Sequence, residues 1–241
     1  MNIVVMRLAF RSLLGSRRSW ILVGLAVLLF GVAGLTRWGS GGDIHSSASL
    51  VMNFGLGTLV PVMCLLIGTG VIAPEIEDGS IVYLLAKPLS RRAIALSKLS
   101  VATLVAVVST VASIAIACLI AGDEHGRLAL AMSGATALAA VAYTAVFFAI
   151  AILTRNPIII GLIYALLWEG VLAGYVPGVR AVSIRQWALA PAEQLLTDPG
   201  ALGVKSEVGV AVGLLMLALA TAGAIVAATW RLARLPVRVS D

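Results

Sequence analysis

The chain has 241 residues, of which 61% are hydrophobic and only 12% charged. A soluble domain carries about 25% charged residues, so this chain lacks the polar surface that keeps a globule in water, and part of its solvent is lipid. The net charge of +6 does not point to nucleic acid, because Lys and Arg are scattered at the ends of apolar runs rather than gathered with aromatic stacking residues.

Residues 1–18, MNIVVMRLAFRSLLGSRR, have a helical pattern but are too short and too basic to span a bilayer. At about 100° per residue, Arg7, Arg11 and Arg18 share one face, with Val5, Met6, Leu8, Ala9 and Leu13 opposite. This predicts an amphipathic interfacial helix, although Ile3, Phe10 and Leu14 lie near its basic face.

Six apolar runs follow, at residues 20–36, 50–73, 99–121, 128–154, 157–175 and 208–230. Each is read as a transmembrane helix, since a helix satisfies its own backbone in hydrocarbon and none of the runs alternates as a barrel strand must. The fold class expected is therefore all-α, a polytopic membrane protein in a single transmembrane domain over 1–241. The first run ends in LTRWGSGG with no small-residue cleavage site, and is read as a retained span. Cys64 and Cys118 fall inside spans, so packing is favoured over a disulfide or metal role, and no metal site is expected.

Between the second and third runs lies residues 74–98, PEIEDGSIVYLLAKPLSRRAIALSK. Glu75, Glu77 and Asp78 precede a short helix expected over 80–86, where negative charge suits the helix dipole. Gly79 and Pro88 bracket that helix, and Ile81, Leu84 and Leu85 give it one apolar face. Ser90 is placed to cap the third span ahead of Arg91 and Arg92. Two readings remain open here: a solvated turn whose charges set topology, or a rigid peg that carries force to the membrane.

The fifth run contains Glu169, roughly 18 Å along a helix that starts at Pro157. A charge at that depth costs about 2.5–3.5 kcal/mol on the insertion scale, so it belongs to the bundle interior, a cavity or a partner, or is protonated. A functional site on the one hand, and a helix–helix hydrogen bond or an outer-leaflet position close to water on the other, are equally consistent with it. The outer stretch 176–207 is long for a structureless loop, and RAVSIRQWALAPAEQLL within it predicts a short helix lying at or dipping into the interface. GxxxG at Gly170 and Gly174, and again at Gly209 and Gly213, is better read as internal packing than as subunit pairing.

With six spans both termini share one side. Only Arg37, Arg127, Arg180, Arg185 and Lys205 fall on the other, leaving twelve of the 17 basic residues on the terminal side. The positive-inside rule puts both termini and the 74–98 loop in the cytoplasm.

With that orientation, acidic residues followed by Gly79 and Ser80, then Leu84, Leu85, Lys87, Pro88 and Ser90 with Arg91, resemble the cytoplasmic loop of the ATP-binding cassette type-2 exporter permeases. The resemblance extends to the amphipathic first helix, the six spans and the stretch TRNPIIIGLIYALLWEGVLAGYVPGVRAVSIRQW. It implies a membrane subunit, of bacterial cytoplasmic-membrane type, that pairs with a second permease copy or a related chain. Glu75, Glu77, Asp78, Gly79, Ser80, Ile81, Leu84, Leu85, Lys87, Pro88, Arg91 and Arg92 would then contact a cytoplasmic ATPase. No G-x-x-x-x-G-K-S/T phosphate loop occurs in the chain, so ATP and Mg would be bound by that partner, and the chain is not expected to be an enzyme. The cargo expected is lipophilic or amphiphilic and exported. An intramembrane hydrolase is disfavoured because His45 and His125 fall in outer loops; an ATP-independent carrier or channel is the alternative.

Overall fold

In the computed structural model, residues 6–8, 10, 17–41, 43–73, 75, 91–122, 126–173, 176, 178–196, 204 and 206–234 are described. All the regular structure among them is helical. Helix α1 (Arg17–Gly39) is followed by a continuous rod made of α2 (Ile44–Leu50), a π-helical stretch (Val51–Leu59) and α3 (Val60–Gly70). Two long helices come next, α4 (Arg91–Ile120) and α5 (Arg127–Leu153). A second composite rod joins α6 (Pro157–Ile163) to another π-helical stretch (Tyr164–Leu172). A 3-10 turn (Arg180–Val182), α7 (Ile184–Leu195) and α8 (Val210–Ala233) complete the order.

Among the described residues, five helices are long and apolar enough to cross a membrane: Ser19–Gly39, Ala48–Gly70, Arg92–Ile120, Arg127–Leu153 and Val210–Leu232. They correspond to five of the six expected runs. The remaining run, 157–175, is helical over Pro157–Leu172, an apolar rod shorter than the others, at about 24 Å against a hydrocarbon core of about 30 Å. Of the expected interfacial helix at 1–18, only a few residues are described. Glu77, Asp78, Gly79, Ser80, Ile81, Leu84, Leu85, Lys87 and Pro88 lie outside the described residues.

Helix α5 is the axis of the bundle, and α3, α4, α6, α7 and α8 all pack on it. Lipid tails are as apolar as leucine, so helices in a bilayer associate through close van der Waals fit, which small residues permit. The buried face of α5 is rich in alanine (Ala131, Ala135, Ala139, Ala142 and Ala145), with Tyr143, Phe147 and Phe148 filling the gaps. Two-thirds (67%) of its apolar window is buried, whereas α1 and α8 each bury 11%. Those two helices form the rim, presenting Val27, Leu35, Leu215 and Leu219 outward. Trp20 and Trp38 stand exposed near opposite ends of α1, where indoles settle at membrane interfaces. Cys64 and Cys118 are not joined in a disulfide, and both are fully buried.

Cations from neighbouring helices satisfy carbonyls that helix ends leave open. Arg37 Nη1 donates to the Ile120 carbonyl at the end of α4, 3.0 Å away. Gly122, at φ +99°, makes the turn that follows. A Cβ there would also stand 3.3 Å from the same Arg37 nitrogen, a tight contact, but it is the backbone angle that calls for glycine.

Candidate functional site

Two polar clusters interrupt the apolar bundle. The first sits where α3 ends and the 74–98 segment begins. Lys98, on the second turn of α4, is only 3% exposed, and its ammonium reaches back across the bundle. It donates to the Val71 carbonyl at 2.9 Å and to Glu75 Oε1 at 2.5 Å. Val71 is the residue that follows α3, so its carbonyl carries the negative end of that helix's dipole. One ammonium therefore ties the end of α3, the base of the loop and the start of α4 together. Lys98 is thus a member of the loop's anchorage that sequence inspection counts only as a topological charge; its spacing behind Arg91 and Arg92, one helical face further in, is the signal. Of the twelve loop residues singled out from sequence, the structure places Glu75 in this clamp and Arg92 exposed on the first turn of α4.

The second cluster surrounds Glu169, which is fully buried in the second π-helical stretch. Its carboxyl accepts three hydrogen bonds: from Ile184 N at 2.9 Å, from Ser183 Oγ at 2.5 Å and from Tyr164 Oη at 3.2 Å. Ser183 occupies the N-cap position of α7 but makes no side-chain cap to its own helix. Its hydroxyl goes instead to Glu169, and the first free N–H of α7 goes to the same carboxyl. Glu169 thus caps α7 from another rod, at the end where the helix dipole favours an acidic group. Stacked Tyr143 and Phe147 on α5, with Tyr164 edge-on to Phe147, hold the Tyr164 hydroxyl in reach.

Arg185, the next residue of α7, is 4% exposed and addresses the other π-helical stretch. Its Nη1 donates to Asn53 Oδ1 at 3.4 Å. Asn53 in turn donates through Nδ2 to the Ser49 carbonyl at 2.9 Å, the acceptor that an α-helical N–H of residue 53 would have used. A Cβ at Gly57 would lie 2.5 Å from Arg185 Nη1, so a glycine opens the seat for the guanidinium. Burial pulls the Arg185 pKa down from its ordinary value, while the nearby Tyr143 and Glu169 act the other way. An arginine remains charged under these influences.

The two π-helical stretches also pack against each other. The first turn of α7 is therefore wedged on both, by Glu169 on one and by Asn53 and Gly57 on the other. Unlike an interfacial helix lying flat, α7 buries Ile184, Ala188, Leu189 and Ala192 and packs on α5 and α8. Ser206 pins it from beyond, through its N–H to Glu193 Oε2 and its hydroxyl to the Gln186 carbonyl, both at 3.0 Å. A Cβ at Gly213 would meet the Trp187 carbonyl at 2.8 Å, so this glycine of the second GxxxG serves the α7–α8 approach inside the chain. Sequence inspection finds Glu169 but not its partners Ser183 and Ile184, nor the Arg185–Asn53 bond beside them, since these groups meet only through the fold.

The bundle and its clusters define a polytopic α-helical membrane protein with a polar clamp at one end and a capped, inserted helix toward the other. Residues 3–157 match the family model described as ABC-2 family transporter protein, and the chain belongs to that family. A comparison with curated proteins finds no match.

Proposed function

We infer that this chain is the membrane-spanning permease of an ATP-driven exporter, working with a separate cytoplasmic ATPase and with a second permease copy or related chain. Its six spans leave both termini and the 74–98 loop in the cytoplasm of a bacterial-type inner membrane. ATP and Mg are held by the ATPase, and the cargo is lipophilic or amphiphilic.

The observation that carries this reading is the Lys98 clamp within a chain of transporter family. A loop that receives force must be stiff at its base, and Lys98 joins Glu75 to both flanking spans. Displacement of the segment from Glu75 to Arg92 by the closing ATPase then moves α3 and α4 together. Helix α5, packed on both, passes the movement to α7 and its π-helical neighbours. The amphipathic peg of Ile81, Leu84 and Leu85 supplies the apolar face for the ATPase, and the charges from Glu77 to Arg91 supply its rim.

Mild-detergent purification of the tagged chain tests the assignment. An ATPase subunit is expected to co-purify, and Leu84→Arg or Gly79→Pro is expected to abolish its stimulation and the transport. Retention of both by these variants, or transport that persists with the ATPase deleted, would favour an ATP-independent carrier instead. Labelling of cysteines placed at 77–87 by an impermeant reagent only from outside the cell would overturn the topology.

A further inference from the structure

Between α4 and α8 a continuous groove opens on the lipid-facing side of the bundle. Its deeper part, about 570 Å³, is lined by Leu96, Leu99, Leu104, Val107 and Ile225 among others. It continues through Leu96 and Ile225 into a mouth of about 440 Å³, where Arg92, Trp230 and Arg234 gather. From Leu96 to Val107 the groove follows α4 for about 16 Å, the depth of one leaflet of a core about 30 Å thick.

The chemistry changes along that length. The Ser100 hydroxyl donates to the Ser97 carbonyl at 3.0 Å, and the Thr229 hydroxyl to the Ile225 carbonyl at 2.8 Å, so both are spent within their own helices. Thr229 belongs to the mouth, and apart from Ser100 and Thr103 the deep wall is built of leucine, valine and isoleucine, which suits an acyl chain. The mouth is cationic, with no acidic residue among the described residues that line either part. Arg234 lies over the Trp230 ring, 3.9 Å from its centroid. A guanidinium held by its face keeps its in-plane N–H donors for a second partner, and phosphate suits that fork.

We propose that this groove binds an anionic phospholipid of the leaflet that Arg92 and Arg234 face, with an acyl chain along Leu96–Val107 and the headgroup phosphate between the two arginines. Basic seats between transmembrane helices at the cytoplasmic surface suit such headgroups. A second copy of the chain is a poorer occupant. A two-fold contact over this groove would set Arg92 and Arg234 against their own equivalents, a like-charge contact that no acidic residue among the described lining neutralises. Assigning the lipid to the cytoplasmic leaflet rests on the proposed orientation; the site itself does not.

The full chain is reconstituted in vesicles of equal phosphatidylglycerol and phosphatidylcholine, re-extracted in mild detergent, and its retained lipid counted by mass spectrometry. Each arginine is expected to contribute about fivefold to the enrichment of phosphatidylglycerol, and R92Q/R234Q to return retention to the bulk ratio. In parallel, brominated phosphatidylglycerol is expected to quench tryptophan emission more than brominated phosphatidylcholine, a difference removed by Trp230→Phe. Equal retention of the two lipids, enrichment that survives R92Q/R234Q, or a cysteine cross-link between Leu96 positions of two copies would each overturn the proposal. Arg234→Cys, labelled with an impermeant maleimide, separately reports the leaflet. Labelling only from outside would refute the orientation while leaving the lipid selectivity to stand or fall alone.

Discussion

Lys98 and Glu75 meet as a charged pair at 2.5 Å, although 23 residues separate them and the lysine side chain is only 4% exposed. Removing one partner of a shielded pair leaves the other charge desolvated, which costs more than the pair itself contributes. Lys98→Met is accordingly expected to lower stability by about 2 kcal/mol, less than for a fully buried pair because Glu75 is 30% exposed. The double variant Lys98→Met with Glu75→Leu is expected to recover most of that loss. Thermal unfolding in detergent of both single variants and the double gives the coupling directly, and additive losses would contradict the clamp.

At the Glu169 cluster the acid and its amide should part company. Glu169→Leu strands three donors at once and is expected to cost about 3–5 kcal/mol. Glu169→Gln keeps an acceptor for Ile184 N and can reverse the bond to Ser183, so its stability should stay within about 1 kcal/mol of the parent. Protease sensitivity at 178–184 and thermal unfolding check both values. Transport by the Gln variant in reconstituted vesicles then separates a capping role, which it preserves, from one that needs a titrating acid.

Two glycines in one GxxxG pair make a matched control. Gly213→Ala drives a methyl against the Trp187 backbone carbonyl, which cannot turn aside, and is expected to destabilise by about 1–3 kcal/mol. Nothing lies within 4 Å of a Cβ at Gly209, so Gly209→Ala should be near neutral. Equal effects in unfolding experiments would show that α7 does not sit against α8 as described.

Asp43 supplies a pH dependence with a definite sign. It accepts from the Ser46 hydroxyl at 2.7 Å and from the backbone N–H groups of Ser46 and His45, at 3.1 and 3.2 Å. These bonds hold its pKa below the ordinary 3.8, the Ser46 hydroxyl having the largest effect. The cap is therefore complete above the ordinary carboxylate range and is lost as pH falls through the depressed folded value. Hydrogen exchange at the Ser46 amide should accelerate relative to the α5 amides on acidification, and Asp43→Asn should flatten that response.

Why one acidic residue was legible and its surroundings were not follows from range. Glu169 announces itself because an acid inside an apolar run is costly wherever the chain goes. Its acceptors' partners come from Ser183 and Ile184, beyond a turn, and nothing in their spacing says that α7 folds back rather than lying on the surface. Arg185 likewise counts in sequence as an outer-loop charge, yet its guanidinium lodges against Gly57, 128 positions earlier in the chain.

Hydrocarbon thickness and the cost of an unsatisfied peptide group act on each segment alone, which is why composition and run length already determined a helical, membrane-embedded chain and its five long apolar helices. The order of neighbours around α5, the short π-helical rod that holds Glu169, the insertion of α7 and the reach of Lys98 to Glu75 were decided only in three dimensions. Between helices in lipid there is no hydrophobic drive to impose a partner. Small-residue fit and a few buried polar bonds choose among arrangements that the apolar pattern leaves equivalent.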